Sequence, residues 1–249
     1  MQTGEKDNML KEKIKQIFEF HKGRYGSIRI HKELKKQGIS CSRKRVERLM
    51  RELEIAAMGK RKFKATTDSK HKHPVAPNLL ERYFQSSKPN QVWTGDITFI
   101  PTRQGWLYLA VVIDLFSRKI VGWQMSNRIN AELVAGALRM AIRTRNPAPG
   151  LIFHSDRGSQ YAGHIFQRIV AAYGLVQSMS RKGDCWDNSP TESFFATLKK
   201  ELIRKYIYTT RDEAKIDIFR YIEGYYNNFR LHSFLDYHTP VEFEEKMAA

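Results

Sequence analysis

From Val92 onward the apolar residues change period several times, and this succession constrains the fold more than any other feature. Val92–Thr102, Trp106–Leu115 and Lys119–Met125 predict three consecutive strands. Gln104-Gly105 makes the hairpin turn between the first two, and Phe116-Ser-Arg joins the second to the third. Asn130 caps a predicted helix over Ala131–Arg143, with Leu133, Val134, Ala137, Leu138 and Ala141 on its inner side. A strand at Leu151, a helix over Ala162–Tyr173 ending at Gly174 and a strand over Leu175–Met179 come next. Helical pattern resumes from Thr191 through Ile203 and again from Arg211 to Phe229. The order β-β-β-α-β-α-β-α predicts an α/β fold: a mixed five-stranded sheet with helices on both faces.

Three acidic residues stand at informative places in that order. Asp96 lies within the first strand, Asp156 closes Leu151-Ile-Phe-His-Ser-Asp, and Glu192 falls in the first turn of a helix. Thirty-five residues separate Asp156 from Glu192. With the first strand central and the fourth beside it, Asp96 and Asp156 come close, and a helix crossing the sheet edge brings Glu192 to the same point. Carboxylates are hard oxygen ligands suited to Mg²⁺ or Mn²⁺. A pair of such ions serves in-line displacement at phosphorus. Without metal, three gathered acids repel, so the bare cage is expected to be mobile or strained.

Charge divides the 249-residue chain, whose formal balance is +17. Residues 1–90 hold 23 Lys and Arg against 10 Asp and Glu, and the remainder 20 against 16. A basic front on a nearly neutral back points to a polyanion-binding module, with nucleic acid the first candidate. Within a module of residues 1–56, residues 8–55 predict three helices. Leu10, Ile14, Ile17 and Phe18 line the first, which ends at His21-Lys-Gly23. Ser27 is read as the cap of the second, which carries Ile30 and Leu34 and stops at Gly38. Ser42 caps the third, with Val46, Leu49, Met50 and Leu53 inward and Arg43, Lys44, Arg45, Arg48 and Arg51 outward. This pattern fits a helix-turn-helix whose last helix reads a major groove; a bundle with a solvated charged face is the alternative.

Residues 57–90 read as a basic linker carrying Lys60, Arg61, Lys62, Lys64, Lys70 and Lys72, able to lie along phosphates but not to bury a core. His71 and His73 lack further ligands nearby. Cys41 and Cys185, far apart, exclude a thiolate zinc site and argue against a disulfide framework. No apolar run is long enough for a bilayer and the first residues are polar. A reducing cytoplasm is the expected location, with no membrane partner.

Residues 92–200 resemble the catalytic core of the retroviral integrase and bacterial transposase superfamily with the Asp, Asp, thirty-five, Glu signature, and the resemblance extends to most of the chain. More narrowly, they are similar to the second-frame product of insertion sequence 3 family elements. The passages that carry it are Trp93-Thr-Gly-Asp-Ile-Thr, Val112-Ile-Asp-Leu-Phe-Ser-Arg, His154-Ser-Asp-Arg-Gly-Ser-Gln-Tyr and Asp187-Asn-Ser-Pro-Thr-Glu-Ser-Phe-Phe. Tyr225-Tyr-Asn-Asn-Phe-Arg-Leu-His and Thr239-Pro-Val-Glu-Phe add to it. The resemblance implies a ribonuclease H-like core over residues 91–249 and Asp96, Asp156 and Glu192 as catalytic metal ligands. It implies cutting at the element's inverted repeats and joining of the freed 3′ hydroxyl to another strand of double-stranded DNA, by way of a circular intermediate. It further implies a homo-oligomer on DNA and a frameshift fusion with the upstream-frame product, OrfA. Lys199, seven residues after Glu192, matches a family position that contacts terminal DNA, and Lys200 adjoins it.

Other residues stay open on sequence grounds. Asn188 is read as orienting water or phosphate, Trp186 as stacking on a splayed base, and His154 as either near the site or part of the core. Asp114 is assigned to capping the turn at Ser117-Arg118. Asp184 and Asp187 are read as solvated loop acids. A nuclease that only hydrolyses, and a DNA-binding regulator with an inert core, are the competing functions.

Overall fold

The computed structural model describes residues 2–57, 75–181 and 185–248, which form two compact units, one before and one after the stretch 58–74. Lys60, Arg61, Lys62, Lys64, Lys70, Lys72, His71, His73, Asp184 and the side chain of Trp186 lie outside the described residues.

The first unit holds α1 (Gln2–Phe20), α2 (Ser27–Lys36) and α3 (Arg43–Glu52). Leu10, Ile14, Ile17, Tyr25, Ile30, Leu34, Val46, Leu49 and Met50 are buried among them, so each helix contributes one apolar stripe. The Ser42 hydroxyl accepts from Arg45 N and caps α3. Ser27 differs from its reading: it is the first residue of α2, and Gly26 holds the cap position without a side-chain bond.

The second unit is built on a sheet of order β3-β2-β1-β4-β5. Its strands are β1 (Val92–Thr102), β2 (Gly105–Asp114), β3 (Ile120–Ser126), β4 (Ile152–Ser155) and β5 (Val176–Met179). The first three pair antiparallel, whereas β4 runs parallel to β1 and to β5. On one face lie α4 (Ala131–Arg145), α5 (Ser159–Ala162) and α6 (His164–Ala172), packed on Trp93, Val112, Val121 and Phe153. The helix predicted over Ala162–Tyr173 is α6, starting two residues later because Gly163 is extended, and the short α5 before it was not predicted. Gly122 lets α4 sit directly on β3: a Cβ there would stand 2.2 Å from the Ala137 carbonyl oxygen.

The opposite face carries α7 (Ser189–Glu201) and α8 (Arg211–Tyr221), packed on Ile100, Leu107, Leu109, Val111 and Ile113. Past α8 the chain widens into a π turn at Ile222–Tyr226, and it closes with α9 (Pro240–Ala248), a helix the sequence reading did not separate out. Residues 75–90 depart from their reading as part of a linker that buries nothing. Met179 N donates to Pro77 O, Leu79 N to the Ser178 hydroxyl, and Leu80 is buried. The segment covers the outer strand β5 and satisfies part of its exposed backbone edge. No helix among the described residues is long and apolar enough to cross a membrane.

Candidate active site

The parallel pairing of β1 with β4 ends at Gly95 opposite Ser155. Asp96 follows Gly95 within β1 and Asp156 follows Ser155 just past the end of β4, so the two come out beside each other where the parallel ladder stops. Asp96 shares the face of Thr94, because side chains alternate along a strand. Gly95 turns to the other face, where a Cβ would stand 2.5 Å from the Phe153 ring, so the backbone beside Asp96 lies flat on that ring.

Helix α7 is fastened to the same point. The hydroxyls of Thr191 and Thr94 meet at 2.9 Å, and Asn188 Nδ2 donates to Gly95 O at 3.4 Å. Glu192 follows Thr191 directly, at the helix's N-terminal end, where a carboxylate is favoured by the backbone dipoles.

Electrostatics register this convergence. Burial pushes the Asp96 carboxyl well above its ordinary value, and the Asp156 charge pushes the same way, as does Glu192. The Ile97 N–H, donating to Asp96 Oδ1 at 2.7 Å, works in the opposite direction. Burial also raises Glu192. Tyr161, buried under the sheet, is raised well above the usual phenol value by burial and then by Asp96 and Asp156. Among the described residues no three His, Cys, Asp or Glu side chains stand close enough together to hold a metal ion. Two of the three carboxylates have backbone partners of their own: Asp96 accepts from the Ile97 N–H and Asp156 from the Gly158 N–H at 2.9 Å. As a donor set, three carboxylates, one within β1, one just past β4 and one in the first turn of α7, fit a hard divalent cation.

The remaining candidates fall in several settings. Lys199 lies two turns along α7 from Glu192, with Nζ 4.8 Å from the Phe99 ring centre, and Lys200 beside it is half-buried. Burial lowers Lys199, with Arg204 adding to that and Asp96 opposing it. Asn188 is buried and spent on Gly95 and Thr191, as part of the framework. His154 is fully buried: Nδ1 meets the Ser178 hydroxyl at 2.8 Å and Nε2 the Asp187 carbonyl oxygen at 2.9 Å. Asp114 does cap the turn after β2, accepting from Phe116 N, and it also accepts from Asn90 N.

Asp187 corrects the sequence reading. Its carboxylate is fully buried, accepting from Arg181 N, Nε and Nη2 at 2.8–3.0 Å, Arg82 Nε at 3.2 Å and Asn78 Nδ2 at 3.0 Å. Arg181 above all holds it well below the usual carboxylate range. The signal was the cationic Arg181 six residues earlier, but Arg82 and Asn78 come from over a hundred residues away. On α3, Arg43 and Lys44 are exposed, whereas Arg45 and Arg48 close on Asp7 at 2.6–2.8 Å.

The fold and the site define an integrase-core protein of ribonuclease H-like architecture preceded by a helix-turn-helix-like module. Residues 86–185 and 192–247 match two families described as Integrase core domain, and residues 5–63 one described as HTH-like domain. The transposase for insertion sequence element IS904 of Lactococcus lactis subsp. lactis (strain IL1403) is 48% identical, over 95% of this chain and 94% of that protein. An uncharacterized 31 kDa protein of insertion element IS600 from Shigella sonnei is 47% identical, over 96% of this chain and 88% of that protein. Transposase InsF for insertion sequence IS3A of Escherichia coli K12 is 43% identical, over 92% and 79%. A chain of the simian T-cell lymphotropic virus intasome, solved with PP2A regulatory subunit B56 gamma, shares the fold at 18% identity and TM-score 0.54, over 71% of this chain and 60% of that one. The chain belongs to the insertion sequence 3 family of transposases.

Proposed function

We propose that this protein is a DNA transposase that cuts the ends of its insertion element and joins the freed 3′ hydroxyl to another DNA strand. The observation that carries the reading is the end of the β1–β4 ladder, where Gly95 faces Ser155 and the next residues are Asp96 and Asp156. In the first reaction a water oxygen bonds to phosphorus and the 3′ oxygen leaves with a proton. In the second that 3′ oxygen bonds to a target phosphorus and the target strand's own 3′ oxygen leaves. No covalent protein intermediate is needed.

Asp96, Asp156 and Glu192 would hold two divalent ions, Mg²⁺ or Mn²⁺, as the catalytic ligands. When bound, such ions supply the positive charge that activates the attacking oxygen and stabilises the leaving one. The chain's own part is to place three carboxylates on rigid elements and to keep Asp96 next to Asp156. Lys199 and Lys200 are assigned to the DNA beside the cut, and Arg43, Lys44, Lys60, Arg61, Lys62 and Lys64 to the element's inverted repeats. Arg45 and Arg48 are assigned there too, each held by Asp7 and Arg48 also by Glu52. Residues 1–56 serve as reading module, the basic stretch 57–74 as connection, and 91–249, with 75–90 docked on β5, as catalytic unit.

Joining two ends requires two or more protomers on DNA, and fusion with the upstream-frame product OrfA fits the resemblance. The working location is the bacterial cytoplasm. Purified protein incubated with element-end DNA and Mg²⁺ should yield both nicked and joined products. Nicking without joining favours the hydrolytic nuclease, and DNA binding without either favours the inert regulator.

A further inference from the structure

Helix α7 begins without the side-chain cap that fixes most helix starts: Asn188 occupies the cap position but makes no such bond. Besides the Thr191–Thr94 and Asn188–Gly95 bonds, this end is held by the residue before it. Asp187 is tied at two points, and both ties lead to the segment that enters the core. Its carboxylate accepts from Asn78 and Arg82 as well as from Arg181. Its carbonyl oxygen accepts from His154 Nε2; Nδ1 of the same ring meets the Ser178 hydroxyl, which accepts from Leu79 N at 2.9 Å. Ser180 Oγ also stands 3.3 Å from His154 Nε2. The carboxylate has 0% exposure, whereas the arginine side chains over it are 48% and 53% exposed. A buried acid ringed by donors from two segments is costly to disturb, and each donor lost leaves it partly unpaired.

We propose that Asp187 is a positioning residue for Glu192, and that Asn78 and Arg82 act on Glu192 through it. The segment leading into the core thereby sets the start of the helix that carries the third carboxylate. The proposal rests on the reading of Glu192 as a metal ligand. Release of Arg82 or Asn78 loosens the first turn of α7, and Glu192 then meets the cation at an entropic disadvantage.

The test uses the full chain with Asp187→Asn, Arg82→Ala and Asn78→Ala. In metal-free protein, hydrogen exchange of residues 189–195 should quicken about tenfold in Asp187→Asn and less in the other two, with β1 to β3 unchanged. In cleavage assays the Mg²⁺ concentration for half-maximal rate should rise about tenfold in Asp187→Asn, with much of the rate regained at saturating metal. Arg82→Ala should shift it in the same direction and add nothing on the Asp187→Asn background. Unchanged exchange at 189–195 overturns the proposal, as does a lowered melting temperature with an unmoved metal requirement. Additive effects of Arg82→Ala and Asp187→Asn overturn the route through Asp187. Should Asp187→Asn not fold, the exposed Arg82→Ala and part-buried Asn78→Ala decide alone, and no change in either is a refutation. A wild-type chain inactive with every divalent metal sinks the functional reading instead, while exchange at 189–195 still decides this one.

Discussion

Thr191 and Thr94 face each other through their hydroxyls at 2.9 Å, one residue before Glu192 and two before Asp96. This bond registers a helix against a strand, and Asn188 Oδ1, 3.2 Å from the Thr191 hydroxyl, extends it. Thr191→Val keeps the shape but leaves two buried polar groups without that partner. A loss of about 1–3 kcal/mol in urea unfolding is expected. Unchanged stability would show that the contact contributes nothing to the helix's placement.

Glu201, at the end of α7, is buried with Arg230, whose Nε and Nη2 reach it at 2.9–3.1 Å, and the Tyr221 hydroxyl donates to it at 2.8 Å. Removing one partner strands a buried charge. Arg230→Met should cost about 3–5 kcal/mol, and the double variant Glu201→Leu with Arg230→Met should cost less than Arg230→Met alone. Equal losses in the single and double variants would contradict this.

Asp96 gives a pH-dependent prediction. Burial first, and Asp156 second, raise its carboxyl on folding. A native state that holds the proton more tightly is stabilised at low pH and loses that stability as pH climbs from the ordinary carboxylate value through the raised one. In EDTA at pH 8, Asp96→Asn should melt above the wild type, and the gap should close as the pH approaches about 4. Mg²⁺ should raise the melting temperature of the wild type alone. A variant that melts lower across this range would overturn the account of metal-free strain.

Glu244 anchors α9. Arg145 grips it at 2.8 and 2.9 Å, with Ser117 Oγ at 2.7 Å and Lys119 Nζ at 3.3 Å. Burial alone would raise its carboxyl, but the Arg145 and Ser117 bonds bring it below the ordinary value. Its contribution is therefore present at neutral pH and fades as pH falls through the lowered value. Glu244→Ala should cost about 1.5–3 kcal/mol at pH 7 and expose the last helix to proteolysis. Wild-type protease resistance would count against the clasp.

Much of this arrangement was legible in the sequence. Alternation and helical spacing are local, and they marked the strand carrying Asp96, the strand read as closing at Asp156, which ends at Ser155, and the helix carrying Glu192. The order of elements placed the first strand beside the fourth, and so Asp96 near Asp156, whereas the parallel register that ends at Gly95 and Ser155 was not legible. Asp187 was not legible, because a loop acid looks solvated until distant Arg82 and Asn78 fold onto it. The pairing of Arg45 and Arg48 with Asp7 is likewise nonlocal, spanning 38 and 41 residues. Residues 75–90 were hidden by the basic stretch before them, which masked the few apolar side chains that dock on β5.

The most direct test measures cleavage and joining of element-end DNA with Mg²⁺ for the wild type, Asp96→Asn, Asp156→Asn and Glu192→Gln. DNA binding should be retained throughout, and both reactions should fall by about a thousandfold or more in each variant, since groups that act as one unit fail together. Any of the three acting at the wild-type rate would remove that carboxylate from the site and contradict the account.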